Sequence, residues 1–578
     1  MNKIYKGVLI LVITASCAIL HGCKKNYLDK APTNILTEDV LFSDRAAFNT
    51  HMAYLYAQLP FSNFFVDMGT YLSYKTDELV NCTQDQNPSV DPNNDWWVQG
   101  YKLIRDLNTL IEKLPTSTVF PGQQEMTQVL GEIKFMRAIS YYNLAARYGG
   151  VPIITKVAQL PKSGNVSELY APRDSESDVF KFIEAEMTEA IGMMSTASSF
   201  TEYRFNKWSG LAFKSRTMLY AASVAKYGEM QLNGTVGIPK SEAEHFWTSA
   251  RDAAKEVIES GTYAAYNENS DKVLNYHNLF FDKSGTNRER VFVISYVWPL
   301  KGHNFDRNAA PFSHRGGVGY GGRFCPIFDM VESYEYVNDR NGALKLNNGG
   351  TPIEYADPAD LFKDKDPRMF ASVLFPGSPW KGTTLKIYAK IIEGGVEKDG
   401  HGADGITQPE ATSTGFYLSK WQDPAPPRPI DNNSSDADRI CIRYAEVMLN
   451  YAEAELELNN EPEARKYVNM IRRRAGIEEL SSAISMDDYR QERKIELAFE
   501  ENRYWDLKRW RVYDKVLNNK DTYALWPVYN KDKEVYTFEK HMLPPGKFTR
   551  NFTANLYYNR VPDAVIQTNP LVVQNPGY

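Results

Sequence analysis

Cysteine is scarce, with five residues in a chain of 578. Cys17 and Cys23 lie near the N-terminus, which leaves Cys82, Cys325 and Cys441 for the body. At most one disulfide can form among those three, so the fold must rest on an apolar core rather than on staples. Histidine is also sparse, eight scattered residues, and no HExxH, CxxC, GxSxG or Walker loop occurs. No motif therefore supports metal, thiol-redox, serine-hydrolase or nucleotide chemistry, and neither a metal nor a cofactor is expected. An excess of basic charge is missing too. The formal net charge is −6, a poor match to a polyanion, so no nucleic-acid partner is expected. Beyond the N-terminus no apolar run approaches the roughly 20 residues that a spanning helix needs.

The one long apolar run, residues 8–20 (VLILVITASCAIL), follows Lys3 and Lys6 and runs into Leu20-His21-Gly22-Cys23 before Lys24-Lys25. It is too short to cross a bilayer and reads as a secretory signal over residues 1–22, with Cys23 the lipidated first residue of the mature chain. The other reading is an ordinary signal cut elsewhere, with Cys23 a bystander. Acyl chains would tie a soluble body to a membrane face, each buried methylene contributing about 0.8 kcal/mol. Loss of Lys3 and Lys6 leaves the remainder more acidic still.

Residues 23–41 are polar and turn-rich, a tether in which Thr37 or Ser43 is placed to cap the first helix. Residues 42–264 show helical periodicity, with segments at 97–114, 129–148, 174–194, 204–227 and 244–260. Ala212, Ala221, Ala222 and Ala225 supply small contact residues for close helix pairing. Between 265 and 435 Gly, Pro, Asn and Asp are dense, and only short strand-like runs appear, at 291–298, 385–392 and 415–418. Residues 436–510 return to helices: 439–475 reads as helix, Asn-Asn-Glu-Pro turn and helix, the size of one tetratricopeptide unit. Residues 511–578 form a loop-rich tail completing the second lobe. The fold class is mainly α, an irregular tetratricopeptide-like scaffold of helical pairs with a loop-rich, minor-β lobe packed on it.

Three constellations could carry chemistry. Gly317, Gly319 and Gly322 spell a formal GxGxxG, but Pro311 and Arg315 precede it and Pro326 follows, so it reads as a surface loop rather than a dinucleotide site. Residues 488–510 read as one helix that aligns Glu492, Glu496, Glu500 and Arg503 on a single face. Paired carboxylates could serve a glycosidase, but a cleaving pair must flank its substrate, and a structural ion network is the stronger reading. Aromatics are the positive signal, at 13% of the chain with 36 Tyr and 10 Trp. Between 61 and 101, rings are interleaved with Asp, Asn, Gln and Lys, a mixture suited to the flat C–H faces and hydroxyls of sugars. Trp96 and Trp97 are adjacent, so both cannot face one core.

Several blocks in order resemble the SusD/RagB nutrient-binding lipoproteins: YLDKAPTN after Cys23, GEIKFMRAISYYNLAARYGGVPIIT at 131–155, DPRMFASVLFPG at 366–377, TSTGFYLSKW at 412–421, RYAEVMLNYAEAELEL at 443–458, the 492–510 segment and the final QNPGY. The resemblance implies a tetratricopeptide-supported, lipid-anchored and surface-exposed outer-membrane protein without catalytic activity. Such a protein captures oligosaccharide or a related nutrient for a SusC-like TonB-dependent transporter. TDEL at 76–79 resembles the family's Ser/Thr-Asp-Glu signature. By that carry-over the ligand-binding candidates are Asp77, Asn94, Trp96, Trp97, Trp298, Tyr320 and Arg323. Two alternatives stand beside this reading: an assembly or lid subunit of the transporter with little ligand affinity, and a surface glycosidase using Glu492 or Glu496.

Overall fold

A computed structural model describes residues 38–61, 65, 71–82, 96–196, 203–316, 319–406, 408, 410–424 and 429–578. The signal, Cys23, Thr37, Asn94 and Gly317 lie outside the described residues. By contacts the chain divides into two compact units, residues up to Gln58 with Lys113–Met126, and Leu59–Glu112 with Thr127–Tyr578. In the smaller, Arg45–Ala57 forms helix α1. Its cap is Asp44, whose carboxylate accepts the Ala47 N–H at 2.7 Å, while Ser43 Oγ donates to Asp39 O instead. Phe48 meets Phe120 edge-on at 5.2 Å, and Arg45 lies over the same ring.

Five helices then follow the apolar periodicity: α2 (Trp97–Lys113), α3 (Gln123–Tyr148), α4 (Glu176–Met193), α5 (Lys207–Tyr227) and α6 (Ala243–Glu259). Ser175 caps α4, and Asn206 with Ser209 forms a capping box on α5, so the orphan N–H groups of each first turn are met locally. Close approach depends on small residues. A Cβ on Gly131 of α3 would stand 2.8 Å from Met193 Cβ and 2.9 Å from Ala190 O of α4. The four alanines of α5 are fully buried.

The late helical pair is α7 (Tyr444–Glu457) and α8 (Glu461–Ala475). It starts later than its helical pattern predicts, because Arg439–Arg443 is a strand paired antiparallel with Arg290–Ile294. Helix α7 packs on α5 and α6, so the late pair extends the early array across the whole loop-rich stretch of sequence.

The segment expected as one helix over 488–510 is two, α9 (Met486–Glu496) and α10 (Asn502–Arg509). Phe499 and Glu501 adopt left-handed φ of 65° and 70° between them. Long-range partners take the backbone groups that the break exposes. Tyr276 donates to Glu496 O at 2.6 Å, Lys420 to Ala498 O at 2.7 Å and Tyr71 to Phe499 O at 2.6 Å, while Glu78 accepts the Phe499 N–H at 2.8 Å.

In chain order the strands used below are β1 (Leu79–Val80), β2 (Arg290–Ile294), β3 (Cys325–Pro326), β4 (Lys390–Glu393), β5 (Val396–Asp399), β6 (Arg439–Arg443), β7 (Tyr523–Asn530) and β8 (Val535–Met542). The largest sheet among the described residues runs β5-β4-β7-β8, with β7 antiparallel to β8 and parallel to β4. The tail read as loop-rich therefore holds the longest strands. Much of the aromatic excess is core: Trp421 receives the edges of Phe65 at 5.4 Å and Phe280 at 4.7 Å, and Phe305 stacks on Phe324 at 4.8 Å.

Candidate functional site

The carboxylates of α9 and the residues after it are bound by cations from four segments. Arg368 contacts Asp366 at 2.7 Å, Glu492 at 2.6 Å and Glu496 at 3.0 Å. Arg443 joins Glu289, Glu496 and Glu500, Arg472 joins Glu335 and Glu492, Arg474 joins Glu289 and Glu496, and Lys420 joins Glu500. Burial raises the Glu496 carboxyl, but Arg474, Arg443 and Arg368 outweigh it and hold Glu496 well below the usual carboxylate range. Burial brings Lys420 down to about 8 despite Glu500. Glu492 and Glu496 are almost wholly buried, and each of their carboxylate oxygens accepts from a guanidinium.

Asp77 belongs to the same kind of interior. Its two oxygens accept from Arg503 at 2.8 and 2.9 Å, and Lys494 adds a contact at 2.9 Å. Against the desolvation of burial, those cations hold its carboxyl well below the usual range. Its neighbour Glu78 is pushed up to about 7, chiefly by burial.

The tryptophan pair divides as adjacency requires. Trp97 is buried, edge-on to Tyr148 at 5.0 Å and against Tyr101 at 5.5 Å. Trp96 is half-buried and lines a cavity of about 360 Å³ together with Tyr142, Tyr220, Arg147 and Trp505. Arg147 lies 5.0 Å over the Trp505 ring. Four other guanidiniums on the cavity wall are already paired: Arg216 with Glu446, Arg439 with Glu501, Arg493 with Asp506 and Arg509 with Glu453.

Trp298, Tyr320 and Arg323 occupy a different setting, along residues 297–323. Val297 and Lys301 bridge to each other, which places Trp298 in a tight turn at 47% exposure. The chain then forms a short helix, Phe305–Ala309. The Gly-rich segment returns against it, with Gly322 N–H donating to Ala310 O at 2.9 Å and Arg323 N–H to Asn308 O at 3.0 Å. That return brings Tyr320, 44% exposed, between two guanidiniums, Arg307 at 4.3 Å and Arg323 at 5.5 Å from its ring centroid. Arg323 also donates to Glu410 at 3.0 Å, and Arg315 lies 3.8 Å over Phe312. Nε of Arg307 and Nη1 of Arg315 donate to nothing among the described residues. Nearby, burial pushes the Asp306 carboxyl up to about 6 and brings the Lys381 ammonium down.

The structure thus brings Tyr320 and Arg323 together and sets Trp96, Trp97 and Asp77 in other surroundings. Arg307, Arg315 and Glu410 escaped the sequence reading because arginines spaced irregularly through a loop carry no periodic signal. Past Gly322 the chain enters β3 rather than a helix, so the formal GxGxxG lacks the helix N-terminus that a pyrophosphate needs. Among the described residues no group of three or more His, Cys, Asp or Glu is placed to hold a metal, and no helix is long and apolar enough to cross a membrane.

Comparison with known proteins agrees across both halves. The model described as the SusD family matches residues 289–578, and that described as starch-binding associating with outer membrane matches 26–219. A SusD-like protein of Bacteroides ovatus is 23% identical over 612 residues, covering 99% of this chain and 98% of its own. A SusD-like protein of Formosa agariphila is 23% identical over 618 residues, covering all of both. Among solved structures, a SusD-like protein from Bacteroides fragilis superposes with a TM-score of 0.71 at 23% identity, covering 95% of this chain and 100% of that one. A SusD-like carbohydrate binding protein from the same species gives 0.69 at 23% identity, covering 92% and 99%. These likenesses establish a shared fold, mainly α with tetratricopeptide-like helix pairs and small sheets. With the SusD model spanning the C-terminal half and the starch-binding model most of the N-terminal part, the chain belongs to the SusD family.

Proposed function

We propose that this chain is a non-catalytic, lipid-anchored binding protein at the outer-membrane surface, which captures oligosaccharide or a related nutrient and passes it to a SusC-like TonB-dependent transporter. The observation that carries the reading is the 297–323 segment, where Trp298 and Tyr320 are exposed and Tyr320 stands beside the guanidiniums of Arg307 and Arg323. A sugar ring can stack its C–H face on Trp298 or Tyr320 while its hydroxyls accept from Arg307 and Arg323. The carbohydrate-binding name of the Bacteroides fragilis neighbour and the starch-binding description of the N-terminal match support the same ligand class. The apolar run closed by Leu20-His21-Gly22-Cys23 supports lipidation at Cys23 and, with it, the location. In this reading residues 265–435 carry the ligand surface, while residues 42–264 and 436–510 carry the scaffold. Isothermal titration against plant, host and microbial oligosaccharides tests it. Micromolar binding to one class is expected, and silence across the panel with binding to a peptide or cofactor would move the ligand class.

A second reading, an assembly or lid subunit with little affinity of its own, is favoured by one surface. Leu160, Val166 and Leu169 are exposed on the α3–α4 connection, and Leu571 and Val573 are exposed on the tail. Arg173 ties the two by donating to Val573 O at 2.9 Å, as Asn569 does to Ala171 O at 2.9 Å. Polar substitutions there that abolish co-purification of the transporter, in a chain that binds no sugar, would decide for assembly.

A further inference from the structure

The short ribbon beside the ligand surface carries two cysteines. Strands β1 and β3 pair antiparallel with Val80 opposite Cys325. Cys82, two residues beyond Val80, therefore falls on the same face as Cys325. The chain bends at Cys82, and the two thiols stand close enough for each to shift the other's ionisation. Cys325 is fully buried and also donates to Gly322 O at 3.0 Å, whereas Cys82 is partly open to solvent. Cys441 sits apart on β6, in contact with Arg439 O.

We propose that Cys82 and Cys325 form a disulfide in the exported protein, locking the end of β1 to the strand that leaves the Tyr320 and Arg323 segment. Its occurrence in the cell rests on the proposed export, because a disulfide persists in an oxidising compartment. The juxtaposition itself rests on the register of β1 and β3 together with the bend at Cys82.

The chemistry balances with a disulfide-bearing oxidant, either an oxidoreductase or a small-molecule disulfide. Cys82, the sulfur that solvent reaches, exchanges first, forming a mixed disulfide and releasing one oxidant sulfur as a thiol. Cys325 then attacks Cys82 Sγ, closing the intramolecular bond and expelling the second oxidant sulfur. Two S–H bonds are lost and one S–S bond forms. The oxidant's S–S bond breaks, and the two protons and two electrons given up by the cysteines reduce it to two thiols. In the second step burial raises the Cys325 thiol, and the hydrogen bonds from Ser413 and Thr412 oppose it.

The bond would complete a clasp that other contacts begin. Ile327 N–H donates to Glu78 O at 3.1 Å, Tyr74 Oη to Arg323 O at 3.2 Å and Arg550 to Leu79 O at 3.1 Å. A pair of two-residue strands is weak by itself, and a covalent link would hold Arg323 where its guanidinium reaches the Tyr320 ring.

The test uses the full chain secreted into an oxidising periplasm, alkylated while unfolded without reductant, then digested for mass spectrometry. The expected product joins the Cys82 and Cys325 peptides, leaves Cys441 alkylated, and disappears on reduction and in either Cys82→Ser or Cys325→Ser. Reductant should lower the melting temperature of the natural chain by several degrees and leave that of Cys82→Ser unmoved, since the link restricts the unfolded chain across a long loop. Folded, reduced protein exposed to oxidised glutathione should give the same linkage whatever compartment it came from. Cys82 and Cys325 both remaining alkylatable after that exposure, or a linkage through Cys441 instead, would overturn the proposal. A link that forms in glutathione but is missing from the secreted chain would overturn it for the cell without bearing on sugar binding.

Discussion

Two regions of this molecule are rich in arginine, and they use it in opposite ways. Around α9 the guanidiniums of Arg368, Arg443, Arg472 and Arg474 are buried and spend themselves on carboxylates. Along 297–323 Arg307, Arg315 and Arg323 lie over aromatic rings. The difference shows that the partner, and not the arginine, decides the role. A buried pair cannot respond to a ligand, because removing one partner strands a charge at a cost of about 3–5 kcal/mol. A guanidinium on a ring keeps its in-plane donors for hydroxyl oxygens.

The contrast breaks most visibly at Arg443. Arg443→Met leaves Glu289, Glu496 and Glu500 short of a cation, and should cost about 3–5 kcal/mol of stability in urea unfolding, with sugar affinity of the remaining folded protein unchanged. The reverse pattern is expected on the surface. Tyr320→Ala or Trp298→Ala should weaken oligosaccharide binding about tenfold, about 1.4 kcal/mol, with an unchanged melting temperature. Equal loss of stability and binding in both regions would erase the distinction.

Acidity sharpens the comparison within the interior. Glu496 is held low when folded, so its contribution is present above the ordinary carboxylate pKa and is lost as pH falls below it. Glu78 has the opposite sign. Its carboxyl is pushed up to about 7, so the folded state keeps a proton that the unfolded chain has shed, and stability falls as pH rises from about 4.3 towards 7. Glu78→Gln keeps an acceptor for the Phe499 N–H without the proton and should flatten that decline in urea midpoints measured from pH 5 to 7.5. The smallest effect belongs to Trp96→Ala. Trp96 lines a cavity to which no residue of 297–323 contributes, so sugar affinity should change less than twofold, and a larger loss in titration would extend the ligand surface to that cavity.

Helices were legible wherever one face alone is apolar. In α2, Ile104, Leu107 and Leu110 lie buried on one side, as their spacing requires, and the Gly149-Gly150 stop after α3 is real. The β7–β8 hairpin was not legible, because YALWPVYN mixes buried and half-buried positions without alternation. Strand β6 was absorbed into the helix after it for a related reason: RICIR runs directly into a helical pattern, and its pairing partner β2 lies far earlier in the chain. Of the site, Tyr320 and Arg323 came from family likeness. Their grouping with Arg307 depends on a loop return that no local pattern records.

By itself the sequence determined which stretches are helical, and that the carboxylate face at 492–500 is an ion network, since periodicity and charge spacing act within a few residues. Tertiary structure alone decided the break at Phe499 and Glu501, which of Trp96 and Trp97 is the buried one, and which arginines meet acids and which meet rings. The break depends on Tyr71, Glu78, Tyr276 and Lys420 reaching one turn from distant segments. Such long-range contacts are set by how the layers pack, and a linear pattern does not encode them.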